Sequence, residues 1–314
     1  MNIKNGLFKK ISIGISFYLM NAEDWTKILR RYHEYIHDIY FSPIENADYQ
    51  SRKRIYNYKT HNIQFLEEEL NKVLEVAKEL GIYRKLVLNV PIFLNNQQDL
   101  DSIYIRYRRK YNIEYVTTFL SCANRIKEID NSQQIICSYN QGIKTSQELV
   151  QILDTKIFHS IVIGTRFFRD FKIFNIVHKY GQKIELLVNN GCLPNCTSFC
   201  SKSNKLCEYN FKQNLLKRNI NELYALCSMF PEEIYTYLLP LDIIDYYKFS
   251  TRPCTYNEMI DMLSSYIDGD SSIYIKNTIN NYHLYGRLGY FYQHYKDLDY
   301  KQITDYKKTI WKKC

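Results

Sequence analysis

The sequence predicts an α/β protein folded as a TIM-like (β/α)8 barrel with a short C-terminal extension. Eight short apolar segments alternate with helix-patterned segments at spacings of roughly 25 to 45 residues, a rhythm that builds a parallel sheet with right-handed crossovers. A count of eight closes such a sheet into a barrel. An open doubly wound sheet is the runner-up, and no glycine-rich first turn supports it.

The first strand is Ile11 to Ser16, where apolar and small residues alternate. Asn21 or Asp24 caps the following helix, with Trp25, Ile28, Leu29 and Tyr32 at helical spacing. Ile36 to Ser42 is the second strand, ended by Pro43, and residues 45–61 read as a long polar loop. A helix from Ile63 to Leu80 presents Phe65, Leu66, Leu70, Val73, Leu74 and Ala77 on one face, and Gly81 stops it. Lys85 to Val90 is the third strand, followed by a helix from Leu100 to Tyr111 and a short fourth strand from Glu114 to Thr118. Helix 119–129 leads to a fifth strand over Gln134 to Tyr139, and Thr145 with Glu148 forms a capping box for the next helix. The sixth strand is Ser160 to Gly164, then comes helix Phe171 to Tyr180 with its Gly181 stop, and the seventh strand is Lys183 to Val188. Helix 211–229 and Pro231-Glu-Glu-Ile precede the eighth strand, Tyr246 to Ser250, and a helix from Asn257 to Tyr266 closes the series. Residues 1–270 are thus the barrel, and 271–314 a Tyr- and Lys-rich segment packed on or beside it.

A core of this length needs neither disulfide nor metal to fold. No apolar run reaches the roughly 18 residues of a membrane span, and the N-terminus lacks an apolar signal core. A cytoplasmic protein is expected, and there nine cysteines stay reduced, so clustered ones favour metal over disulfide. The net charge of +9 raises nucleic acid as a partner, with Arg52-Lys-Arg54 and Arg106 to Lys110 as local concentrations. The 30 tyrosines and the abundant Asn, Ile and Lys favour a blander source, residue drift in an AT-rich genome, which raises lysine without building a binding face.

The densest chemical signal follows the seventh strand. Cys192, Cys196, Cys200 and Cys207 fall within one stretch, after a turn of Asn189, Asn190 and Gly191 suited to positive φ. Thiolates are soft ligands that suit zinc and iron–sulfur clusters. Barrel chemistry sits at the carboxyl ends of the strands, which selects Ser16, Ser42, Asn89, Thr118, Asn140, Arg166, Asn189, Cys192, Arg252 and Cys254. Strands seven and eight are neighbours in such a barrel, so Cys254 can reach the Cys192 stretch. The candidate ligand set is Cys192, Cys196, Cys207 and Cys254, or one using Cys200 in place of Cys207. Cys122, Cys137 and Cys227 fall in apolar segments and read as core packing. The seven histidines form no metal-spaced pair, and neither a nucleophile elbow nor a phosphate loop is present. Lys248 and Arg252 at the eighth strand, and Asn140 after the fifth, are candidate catalytic residues that orient an anionic or hydrogen-bonding substrate.

Several of these segments resemble the collagenase-like peptidases (the U-thirty-two family) and their iron–sulfur hydroxylase relatives. They are Ile135 to Asn140, Ile161 to Gly164 with Arg169-Asp170, Leu187 to Cys196, Phe230 to Ile234 and Tyr247 to Arg252, in the family's order. The resemblance covers roughly residues 85–270 and implies a TIM-like barrel whose thiolates hold a [4Fe–4S] cluster. It implies redox or oxygen-transfer, hydroxylase-type chemistry on a small molecule or an RNA, or else a peptidase. The alternative from another class is a zinc-stapled binding or scaffold protein, in which four thiolates close a tetrahedral site.

Overall fold

A computed structural model describes residues 6–43, 62–88, 101–102, 105–107, 113–117, 120–138, 143–188, 204–249, 254–270, 272 and 297–312. The strands are β1 (Ile11–Gly14), β2 (Ile36–Phe41), β3 (Tyr83–Val87), β4 (Glu114–Thr117), β5 (Ile135–Cys137), β6 (Ser160–Ile163), β7 (Lys183–Leu187) and β8 (Tyr246–Phe249). They close into a barrel in sequence order, every pairing parallel, with β8 returning to β1. The (β/α)8 fold expected from the sequence is the fold observed.

The strands alternate between two cores. Ile13, Ile39, Leu86, Tyr115, Ile161, Ile184 and Phe249 pack outward against the helices. Val116, Ile136, Val162 and Leu187 form a second apolar cluster, with Val87 against it, inside the bore. A period of two along each strand makes this division.

The described α-helices of eight or more residues are α1 (Ala22–Tyr32), α2 (Ile63–Glu79), α3 (Leu120–Ile129), α4 (Ser146–Asp154), α5 (Phe171–Lys179), α6 (Asn204–Leu215), α7 (Ile220–Cys227), α8 (Tyr256–Asp268) and α9 (Tyr300–Trp311). Asn21 and Asp24 act together as one capping box on α1, and Thr145 with Glu148 does the same on α4, as expected. Gly81 and Gly181 take positive φ after α2 and α5, which explains why those helices stop there. One segment differs from expectation. The helix read over 211–229 is two helices, α6 and α7, because the Asn219 side chain accepts from the Glu222 N–H and starts a new helix. Among the described residues no helix is long and apolar enough to cross a membrane.

Candidate active site in the bore of the barrel

Where the apolar bore cluster ends, a chain of charged side chains begins. Ser12 on β1 donates to Asp38 Oδ1 on β2 at 2.5 Å. Lys85 Nζ on β3 lies 2.9 Å from Asp38 Oδ2 and 2.7 Å from Glu185 Oε1 on β7. Lys248 Nζ on β8 donates to Glu185 Oε2 at 3.1 Å. Ser160 on β6 approaches Glu185 Oε1 at 3.5 Å. Asp38, Lys85 and Glu185 are wholly or almost wholly shielded from water, and Lys248 nearly so. Two ammonium groups against two carboxylates balance the fully buried charge.

The local backbone explains how these groups meet. His37 is an extra residue in β2, since Ile11 pairs with Ile36 while Ser12 pairs with Asp38. That bulge brings Asp38 into line with Ser12. Higher in the bore, Tyr40 lies against Gly14, where an added Cβ would sit 2.7 Å from the ring. The Tyr40 hydroxyl donates to the Phe249 carbonyl at 2.6 Å, and Lys248 Nζ stands 4.1 Å from the ring centroid. The ring and Glu185 together fix the ammonium from two sides.

Burial alone would raise the Glu185 carboxyl, but the ammoniums of Lys248 and Lys85 outweigh it and hold it well below the usual carboxylate range. Burial opposes the charge on Lys85 too, and Asp38, Glu185 and Glu114 overcome it, so its pKa is raised. At the amino-terminal end of the barrel, Glu114 sits 4.0 Å from both Lys85 Nζ and His159 Nε2. Burial raises the Glu114 carboxyl and pushes His159 down to about 4. Tyr246 floors this end, with His37 stacked on it at 4.1 Å and Lys183 donating to its hydroxyl at 3.2 Å.

Of the residues expected at the site, the structure brings Lys248, within β8 as expected, onto Glu185. Cys254 is buried between β8 and α8, packed with the apolar core. Ser16 and Ser42 are buried after β1 and β2, and Arg166 after β6 donates to the Lys144 carbonyl at 2.9 Å. Arg252, Asn140, Asn89, Asn189, Thr118, Cys192, Cys196 and Cys200 lie outside the described residues, as does the side chain of Cys207 in α6. Cys122, Cys137 and Cys227 are buried, as expected of packing residues, and burial raises their thiols to about 11, 12 and 12. Among the described residues no group of three or more His, Cys, Asp or Glu side chains is placed to hold a metal ion.

Sequence reasoning missed Asp38, Lys85, Glu114 and Glu185. The available signal was a charged residue inside each of four short apolar strands, at positions that alternation turns inward.

No protein-family model matches the chain, and no curated protein matches it. Solved structures with a similar fold include a putative α-L-fucosidase from Bacteroides thetaiotaomicron, with 10% identity and a TM-score of 0.49 over 94% of this chain and 97% of that one. A mutant tryptophan synthase α-subunit from Pyrococcus furiosus shows 9% identity and a TM-score of 0.43 over 86% of this chain and 97% of that one. N-acetylneuraminate lyase from Mycoplasma synoviae shows 11% identity and a TM-score of 0.43 over 97% and 96%. Barrels this distant share architecture across unrelated chemistries, so the site has to be read from its own residues.

Proposed function

We propose that the chain is a barrel enzyme working at its carboxyl-terminal mouth, on the β7–β8 side, with a thiolate-held [4Fe–4S] cluster. The reading follows the iron–sulfur hydroxylase relatives of the collagenase-like peptidases. One observation carries it: β7 and β8 are paired neighbours, and the Val188 N–H extends that pairing to the Lys248 carbonyl at 3.0 Å. The stretch bearing Cys192, Cys196, Cys200 and Cys207 leaves directly after Val188, and the segment bearing Cys254 leaves the adjacent strand. Thiols carried by the segments that follow these two strands are a donor type that suits iron–sulfur chemistry. When bound, such a cluster would supply one-electron redox chemistry.

The chain's own contribution is orientation. Lys248 donates one N–H to Glu185 and turns a face to Tyr40, and its remaining donor capacity serves a substrate oxygen. Because the buried charges balance, Lys248 orients that oxygen by a hydrogen bond without adding net positive charge to the bore. Arg252 and Asn140 complete the substrate-orienting set in this reading. Replacing buried ion pairs by apolar residues is often neutral or stabilising, so a network this buried points to a role beyond stability.

A zinc-stapled scaffold is the second reading. It is favoured by the burial of Cys254 in the apolar core, which leaves four thiols in the one stretch after β7. Anaerobic purification followed by iron, zinc and acid-labile sulfide analysis separates the two. Iron with matching sulfide supports the enzyme, and one zinc without sulfide supports the staple.

A further inference from the structure

A second buried charge cluster lies outside the bore, at residues that the site does not use. Glu233 Oε1 accepts from Arg169 Nε at 3.1 Å, Arg169 Nη2 at 2.5 Å and Trp311 Nε1 at 2.7 Å. Its Oε2 accepts from Lys307 Nζ at 2.7 Å and the Phe230 N–H at 2.6 Å. Lys307 Nζ also donates to the carbonyls of Ala225 at 3.2 Å and Ser228 at 2.6 Å, which uses all three of its protons. Arg169 Nη2 reaches the same two carbonyls at 3.3 and 3.0 Å. These carbonyls belong to the end of α7, where a helix leaves acceptors unsatisfied and favours cations. Two cations therefore cap one helix end, one from the β6–α5 turn and one from the last helix of the chain.

The capped segment leads straight to the mouth. The Met229 N–H donates to the Val188 carbonyl at 3.2 Å, where β7 gives way to the cysteine-bearing stretch. The Tyr266 hydroxyl holds the Met229 carbonyl at 2.5 Å. Helix α9 is fastened to α7 by further bonds, from Asn219 to the Tyr306 hydroxyl at 2.5 Å and from the Asp299 N–H to Asn221 at 2.7 Å. Resting on the reading of the β7–β8 side as the working side, we propose that Lys307 and Arg169 are positioning residues for the β7–β8 connection, acting through Glu233 and the carbonyls of Ala225 and Ser228. Helix α9 then serves the mouth, although it lies more than a hundred residues beyond β7 in sequence. The cluster is not a cheap way to dock a helix. Burial outweighs Glu233 and pushes Lys307 down to about 8, with the neighbouring Arg169 adding to the cost.

The test is Lys307→Met in the full chain, read by hydrogen exchange and metal content. The variant leaves Glu233 with Arg169, Trp311 and the Phe230 N–H, so the carboxylate is not orphaned. We expect amides of residues 225–230 to exchange at least about tenfold faster while the strand amides of β1 to β5 are unchanged. Metal content should fall below half of the unaltered protein's. Lys307→Arg, which keeps the charge, should retain both properties. Ile303→Val trims the buried face of α9 but leaves every bond of the cluster intact, so it should also retain both. Unchanged exchange at 225–230 in Lys307→Met would overturn the proposal, as would faster exchange with full metal retention. If the unaltered protein holds no metal, the cluster reading of the mouth fails, and exchange alone decides whether Lys307 anchors the connection.

Discussion

Lys85 and Glu185 meet across the full width of the barrel. Their strands, β3 and β7, stand four places apart in either direction round the ring, yet the ammonium lies 2.7 Å from the carboxylate. Glu185 is shared with Lys248, so removing it takes the carboxylate from Lys248 and leaves Lys85 with Asp38, one buried positive charge in excess. Glu185→Gln should therefore cost about 3–5 kcal/mol in urea unfolding. The double change Glu185→Leu and Lys248→Met should recover most of that loss, because Lys85 then keeps Asp38 at 2.9 Å and no buried charge is left without a partner. A single Glu185→Gln variant as stable as the unaltered protein would show that the network carries no such coupling.

Gly14 makes room for Tyr40. Since a Cβ there would lie 2.7 Å from the ring, Gly14→Ala should displace Tyr40 from Lys248 and cost about 1–3 kcal/mol. Tyr40→Leu removes the obstructing ring atoms, so the double variant should lose less than the sum of the two single losses. Strict additivity in a double-mutant cycle would contradict the packing described.

These two predictions mark what the sequence could and could not reveal. The barrel was legible because Ile11, Ile13, Ile161, Ile163, Ile184 and Leu186 repeat with the period of a strand, and because Asn21, Thr145, Gly81 and Gly181 mark helix ends by local chemistry. The cysteine stretch was legible as a pattern of one residue type. The bore network was not. Lys85, Glu185 and Lys248 each look like one polar residue in an apolar run, and only barrel closure shows that they converge. The clamp on Glu233 escaped for the same reason, since Arg169, Glu233 and Lys307 are joined by the fold alone. The break between α6 and α7 was missed because Asn219 is one of many asparagines, and its capping role depends on the backbone it meets.

Acid should weaken the fold through His159. Its folded pKa is about 4, below the ordinary value near 6.5, so between those values the unfolded chain binds the proton that the folded chain excludes. Stability should then fall as pH drops from about 6.5 to 4, by an amount on the order of 2–3 kcal/mol. His37, also lowered by burial, acts in the same direction, and Glu114, raised by burial, acts against it. The contribution of His159 is the difference between the unaltered protein and His159→Gln, followed by chemical unfolding at each pH. Parallel curves for the two proteins across this window would contradict it.

A thiolate-held cluster shared between the connections that follow β7 and β8 can be tested by metal analysis of three cysteine variants. Iron, zinc and sulfide are measured per chain, after anaerobic purification, for the unaltered protein and for Cys192→Ser, Cys254→Ser and Cys227→Ser. Such a cluster should give about four irons and four sulfides in the unaltered protein, with comparable losses in Cys192→Ser and Cys254→Ser. Cys227→Ser, a packing position, should keep its full content, and all three variants should stay folded, since a core of this size does not depend on metal. A protein without iron, or a Cys254→Ser variant that keeps all its metal while Cys192→Ser loses it, would contradict a cluster shared between the two connections.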